Sequence, residues 1–166
     1  MMPSSPTPDT PPASARPRGC TNLLLHQLVR QMDQLYDAEL ARAGMTTAQY
    51  SLLSHVVRLG PVRPGVLAGA MKMQPSTLTR NLQVLVAAGW VVVGAGDDAR
   101  SRNVQATDSG REQQRLAQRH WKTVQLAFNQ RLGDAQVQAL HQLLGAAMAS
   151  LSQADAPAPA NAGDAG

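Results

Sequence analysis

The chain has 166 residues, 43% of them hydrophobic and only 3% aromatic, so Leu, Val, Ala and Met must pack the core, which suits helices better than a β-sandwich. No run approaches the roughly 18 apolar residues of a membrane span, the N-terminus lacks a charged-then-apolar secretory pattern, and a single cysteine, Cys20, excludes an internal disulfide framework. A cytoplasmic protein is expected. The net charge of +4 falls wholly within residues 58–102, where Arg58, Arg63, Lys72, Arg80, Arg100 and Arg102 outnumber Asp97 and Asp98, while 1–57 and 103–166 each balance. A local basic excess of this kind points to a polyanion; charge alone fits a membrane surface equally well.

Residues 3–17 hold six prolines among Ser, Thr and Ala, and 154–166 read ADAPAPANAGDAG. Neither segment buries enough apolar surface to offset its ordering entropy. Residues 1–18 and 153–166 are therefore expected as disordered tails around one domain, 19–152. Within it, Leu25, Leu28, Val29, Met32, Leu35, Tyr36 and Leu40 recur at three- and four-residue spacing and predict a helix over 20–43, about 36 Å long, stopped by Gly44. Thr46 with Gln49 reads as a capping box opening a second helix with Tyr50, Leu53, Val56 and Val57 inward and Gly60 as its end. Pro61 and Pro64 bracket a short extended piece. A third, short helix over 64–71 carries Val66, Leu67, Ala70 and Met71. Pro75 then opens a fourth over 75–88, with Leu78, Leu82, Leu85 and Val86 apolar and Gly89 closing it. Two helices joined by Lys72-Met73-Gln74 form a helix-turn-helix candidate.

Residues 90–94 and 102–106 are extended runs around AGDDARS, a hairpin with a polar tip. Thr107 caps a fifth helix to about 132, bearing Leu116, Trp121, Val124, Phe128 and Leu132. A sixth follows Gly133-Asp134, with a stripe of Val137, Leu140, Leu144, Ala147 and Leu151. The fold expected is mainly α with a small β-wing: a winged helix-turn-helix core, 46–107, flanked by long dimerisation helices, 20–43 and 108–152. Those flanking stripes exceed what so small a core covers, so a homodimer is expected over a monomeric bundle.

A recognition helix in the DNA major groove reads base edges with its N-terminal residues. Ser76, Thr77, Thr79, Arg80 and Asn81 supply hydroxyls, a guanidinium and an amide there, ahead of an apolar face. The alternative for each is an ordinary helix start or an exposed filler. Arg100 and Arg102, two residues apart on a strand, share a face and are expected to reach a minor groove or its phosphates, with Asp97 or Asp98 orienting Arg100.

These residues resemble the MarR family of bacterial transcription regulators over roughly 20–152. The resemblance is carried by Gly44-Met45-Thr46-Thr47-Ala48-Gln49-Tyr50, Ser76-Thr77-Leu78-Thr79-Arg80, Gly89-Trp90-Val91, Asp98-Ala99-Arg100 and Ala106-Thr107-Asp108-Ser109-Gly110, in that order. Ala106 replaces the usual Leu, and Gly65 and Gly69 weaken the third helix. The resemblance implies a homodimer on double-stranded DNA at a pseudo-palindromic operator, and repression relieved by a small phenolic or aromatic ligand held between the dimer helices and the winged core. His26, Tyr36, His55 and Trp121 are the pocket candidates, with Trp90 and Gln125 beside them, each weighed against a packing or surface role. Some family members sense oxidants through a cysteine near the start of the first helix, where a helix N-terminus lowers a thiol's pKa. Cys20 lies slightly upstream of that place and has no resolving partner in the chain.

Two competing classes bear on the reading. The histidines at 26, 55, 120 and 141 have no metal-ligand spacing, and no nucleophile elbow or phosphate-cradling glycine loop is present. No catalytic residue, metal or cofactor is expected. A non-specific architectural DNA binder is separated from a regulator by its ratio of specific to non-specific affinity; an oxidant-sensing repressor using Cys20 is the other alternative.

Overall fold

The computed structural model describes residues 19–96 and 102–154. The expected tails, other than residues 153 and 154, and the Asp97, Asp98 and Arg100 device at the wing tip lie outside the described residues. The order is α1 (Thr21–Leu40), a 3-10 turn (Ala41–Ala43), α2 (Thr47–Leu59), α3 (Pro64–Ala70), α4 (Pro75–Ala87), β1 (Val91–Ala95), β2 (Arg102–Ala106), α5 (Asp108–Leu132) and α6 (Asp134–Ala154). The first helix thus ends three residues sooner than its pattern suggested, where the chain tightens before Gly44. The last helix runs to Ala154, two residues into the segment expected as tail. No described helix is long and apolar enough to cross a membrane.

The capping box at α2 is present in full. Thr46 Oγ1 accepts from the Gln49 backbone N–H, and Gln49 Oε1 accepts from the Thr46 N–H at 2.9 Å. Four residues of α2 (Tyr50, Leu52, Leu53 and Val56) are buried, and α3 contributes Leu67 and Ala68 while Val66 faces out, against the sequence pattern. Leu78, Leu82 and Leu85 turn α4 into the same core. Each such side chain stabilises the fold by about 1.5–3 kcal/mol through burial, so three of them hold α4 firmly along one face.

The extended piece between the two prolines makes a one-residue bridge to the two-stranded sheet. Val62 and Val104 exchange backbone hydrogen bonds of 3.0 and 2.8 Å, adding Val62 to the outer side of β2. Strands β1 and β2 are antiparallel, pairing Val91 with Ala106, Val93 with Val104 and Ala95 with Arg102. The hairpin strand starts one residue later than expected, because Trp90 still donates its N–H to the Leu85 carbonyl.

The long helices bury their stripes only in part against their own chain: Tyr36, Leu40, Val124 and Phe128 are buried. Leu126 (60% exposed), Leu143 (70%), Met148 (62%) and Leu151 (71%) face solvent, with Leu23, Leu24 and Val29 on α1. On α6 only Val137 is buried. The excess of apolar surface read from the sequence is therefore present on the folded chain.

Polar contacts tie α1 and the 3-10 turn after it to the rest of the chain. Tyr36 Oη donates to Gln125 Oε1 at 2.6 Å, the Gln113 amide donates to the Ala43 carbonyl, and His120 Nδ1 stands 2.8 Å from Glu39 Oε1. Asp37 Oδ1 accepts from both the N–H and the hydroxyl of Thr47 at the start of α2, each at 2.6 Å. The hydrogen bond from His120 chiefly holds the Glu39 carboxyl below its ordinary value; desolvation opposes the shift, and Arg42 adds to it. A carboxyl depressed in the folded state stabilises above its unfolded pKa, and that contribution is lost as pH falls through the folded value. Urea midpoints should therefore drop between about pH 6 and pH 3, and Glu39→Gln should flatten part of the drop. Parallel curves for the two proteins would remove Glu39 from the acid response.

Candidate nucleic-acid interface

The helix-turn-helix is α3, the turn 71–74 and α4. Lys72 takes a left-handed conformation (φ 53°) that swings the chain from one helix into the next, and Met73 N–H caps the Ala68 carbonyl at 2.9 Å. The cap residue of α4 is Gln74, and Pro75 occupies its first turn. Unlike α2 and α5, which are closed by Thr46 and Thr107, α4 has no side-chain cap. Ser76 therefore does not serve as the helix start, and the first-turn N–H groups and positive dipole end remain open to an anion.

The C-terminal end of α4 is fixed more tightly. Gly89 (φ 72°) stands just past the helix in the left-handed region, which a side chain would disfavour. Its carbonyl accepts from the Thr107 hydroxyl at 2.7 Å and the Ser109 hydroxyl at 3.0 Å. Thr107 Oγ1 also accepts from the Gly110 N–H, and the Thr107 N–H donates to the Trp90 carbonyl. One junction thus sets the angle between α4, the wing and α5.

With Leu78, Leu82 and Leu85 inward, the remaining side chains of α4 are sorted by helical spacing. Ser76, Arg80, Gln83 and Ala87 follow one another at four, three and four residues on the outer face, all exposed. Thr77 is also exposed. Thr79 and Asn81 flank that face. The Thr79 hydroxyl donates to the Pro75 carbonyl at 2.9 Å, and its side chain borders a cleft toward the wing. Asn81 is half-buried beside Thr46, Ala48 and Gln49 at the start of α2. The sequence pattern gave all five polar residues equal standing; burial and hydrogen bonding separate them. It also passed over Gln83, whose exposure follows from the three-leucine register.

The cleft between α4 and the wing has a volume of about 430 Å³ and is lined by Leu82, Val86, Val93 and Val104, with Thr79, Gln83 and Arg102 among its polar borders. Arg102 shares its strand face with Val104 and Ala106, both buried, so it leans over this cleft. Alternation along β2 thus sets the exposed Arg102 at the cleft beside α4. Val86, expected inward, lines the same cleft and is largely exposed.

A family model described as the MarR family matches residues 43–101. The DNA complex of M. tuberculosis transcriptional regulator MosR is 31% identical, with a TM-score of 0.69, covering 80% of this chain and 98% of that one. The chain belongs to the MarR family. It is accordingly a transcriptional regulator and not an enzyme. A mutant E. coli MarR complexed with operator DNA (24% identity, TM-score 0.70, 76% of this chain and 91% of that one) shares the MarR fold. So does the S. aureus MepR–DNA complex (16%, 0.70, 80% and 99%). Among curated proteins none matches the chain.

Of the residues suggested for a MarR-type ligand pocket, several have partners among the described residues. Tyr36 is buried, bonded to Gln125 and edge-on to Phe128, and burial raises its phenol pKa. Trp121 stacks on Tyr50 at 6.2 Å, and His55 Nδ1 lies 2.8 Å from the Ser51 carbonyl of its own helix. His26 is exposed on α1. Packing of α1 and α2 on α5 thus engages Tyr36 and Trp121 with neighbouring side chains. Cys20 is the exposed N-cap residue of α1. Among the described residues no group of three or more His, Cys, Asp or Glu is placed to hold a metal ion.

Proposed function

We propose that the chain is a homodimeric, sequence-specific repressor that sets α4 of each subunit into successive major grooves of a pseudo-palindromic operator. The observation that carries this reading is the outer face of α4, where Ser76, Thr77 and Arg80 stand exposed ahead of a leucine-anchored inner face. An uncapped helix start favours phosphate at the same end. The DNA-bound relatives support the partner: MosR, E. coli MarR and MepR are each solved with DNA. A DNA partner supports a cytoplasmic location.

The dimer is supported by the apolar side chains of α1, α5 and α6 that the single chain leaves exposed, among them Leu24, Val29, Leu126, Leu143 and Leu151. Covering them with the same surfaces of a second copy satisfies all three at once, with two-fold symmetry matching a palindromic site. Release by a small aromatic acid requires the α1–α2–α5 packing to open, since the side chains there are engaged with one another. Light scattering at micromolar concentration should give twice the chain mass, and fluorescence anisotropy should show operator binding that survives excess random duplex. A stable monomer would sink the dimer; equal competition by any duplex would make the protein an architectural binder.

A further inference from the structure

Among the exposed side chains of α4, one with base-reading chemistry is unassigned by any of the above. We infer that Gln83 reads an adenine beside the guanine read by Arg80, making Arg80 and Gln83 the specificity pair of the helix; this rests on the major-groove placement proposed for α4.

Hydrogen bonding and burial separate the polar side chains of α4. Thr79 and Gln83 both border the wing cleft, but Thr79 donates its hydroxyl proton to the Pro75 carbonyl, and Asn81 is half-buried against the start of α2. Neither presents a free donor–acceptor pair straight outward. Gln83 does: it is exposed, seven residues beyond Ser76 and three beyond Arg80 on the same face. Farther along, that face offers only Val84 and Ala87, which cannot hydrogen-bond, so polar reading ends at Gln83.

The chemistry then selects the base. A carboxamide carries one acceptor oxygen and an NH2 donor side by side, which matches the N6 donor and N7 acceptor of adenine in the major groove; a guanidinium matches O6 and N7 of guanine. Three helical residues advance about 4.5 Å, against about 3.4 Å between base pairs. Arg80 and Gln83 therefore address adjacent or next-but-one pairs. The side chain of Gln83 is long enough to hydrogen-bond a base edge, and it is exposed at the rim of the wing cleft, so replacing it leaves the buried leucines of α4 in place.

The test is selection from a random duplex library with the wild type, Arg80→Ala, Gln83→Ala and Gln83→Glu, each checked for an unchanged thermal melt. The wild-type consensus should contain an A·T pair within about two base pairs of the guanine lost with Arg80→Ala. Gln83→Ala should erase the preference at that A·T pair alone, a loss of about five- to 150-fold in discrimination. Gln83→Glu should move the preference there to C·G, because a carboxylate accepts from cytosine N4. An unchanged consensus with Gln83→Ala, or an equal loss of affinity for every sequence, overturns the assignment while leaving the Arg80 reading in place. A wild type that selects no consensus overturns the proposed function itself.

Discussion

Arg80→Ala will weaken operator binding by about 1–3 kcal/mol, roughly five- to 150-fold, and will flatten discrimination at one base pair per half-site. The guanidinium is exposed on the outer face of α4, midway between Ser76 and Gln83, and its removal takes away both a charge and a bidentate donor. The variant should fold normally, since Ala has the best helix propensity and position 80 contributes nothing to the leucine anchor. Any loss of binding is then a loss of contact. Anisotropy titrations on the operator and on a single-pair variant separate the two roles: reduced affinity with discrimination intact would reassign Arg80 to a phosphate.

Gly110→Ala will lower stability by about 2 kcal/mol or more, although the same change elsewhere in these helices does the reverse. In an open helix position, Gly to Ala gains up to about 1 kcal/mol from propensity. Position 110 is not open. A Cβ there would sit 2.0 Å from the Trp90 carbonyl oxygen and 2.8 Å from its carbon. Those atoms are backbone and cannot rotate away, so α5 or the start of β1 must move. Overpacking of this kind typically costs about 1–3 kcal/mol, and a contact this short lies at the upper end or beyond. The cost outweighs the propensity gain. Gly145→Ala in α6, with nothing within 4 Å of its added methyl, is the matched control and should be neutral or stabilising. Urea midpoints at one fixed protein concentration compare the three chains, since a dimer's stability depends on concentration. A Gly110→Ala midpoint equal to that of Gly145→Ala would refute the close approach. The functional consequence follows from the junction: Thr107 and Ser109 hold the end of α4, so a displaced α5 start also turns the wing away from α4 and weakens DNA binding.

The two cases differ in what the sequence revealed. Arg80 stood out because a charged residue among hydroxyls at a helix start is unusual beside an apolar run. Gly110 was visible only as part of a motif; its reason, the Trp90 carbonyl twenty residues back, belongs to the folded chain. Likewise Thr46 and Gln49 announced their capping box by spacing, whereas the Asp37 carboxylate that receives Thr47 could not be seen, because nothing local pairs residues ten apart across a turn. Tyr36 and Trp121 have the chemistry of ligand contacts, yet the structure seats them on Gln125, Phe128 and Tyr50 from distant parts of the chain.

By itself the sequence determined the helices, the wing, the exposed apolar stripes and the polar start of α4, because these rest on backbone preference and on periods of 3.6 and 2, which act between near neighbours. Tertiary structure alone decided which of those polar residues faces outward. Burying Leu78, Leu82 and Leu85 fixes the rotation of α4, which sends Asn81 toward α2, ties the Thr79 hydroxyl back to Pro75, and leaves Gln83 exposed at the rim of the wing cleft on the same face as Arg80. The same packing turns Arg102 over the cleft, since its strand face is set by Val104 and Ala106 entering a core assembled from α2, α3 and α4.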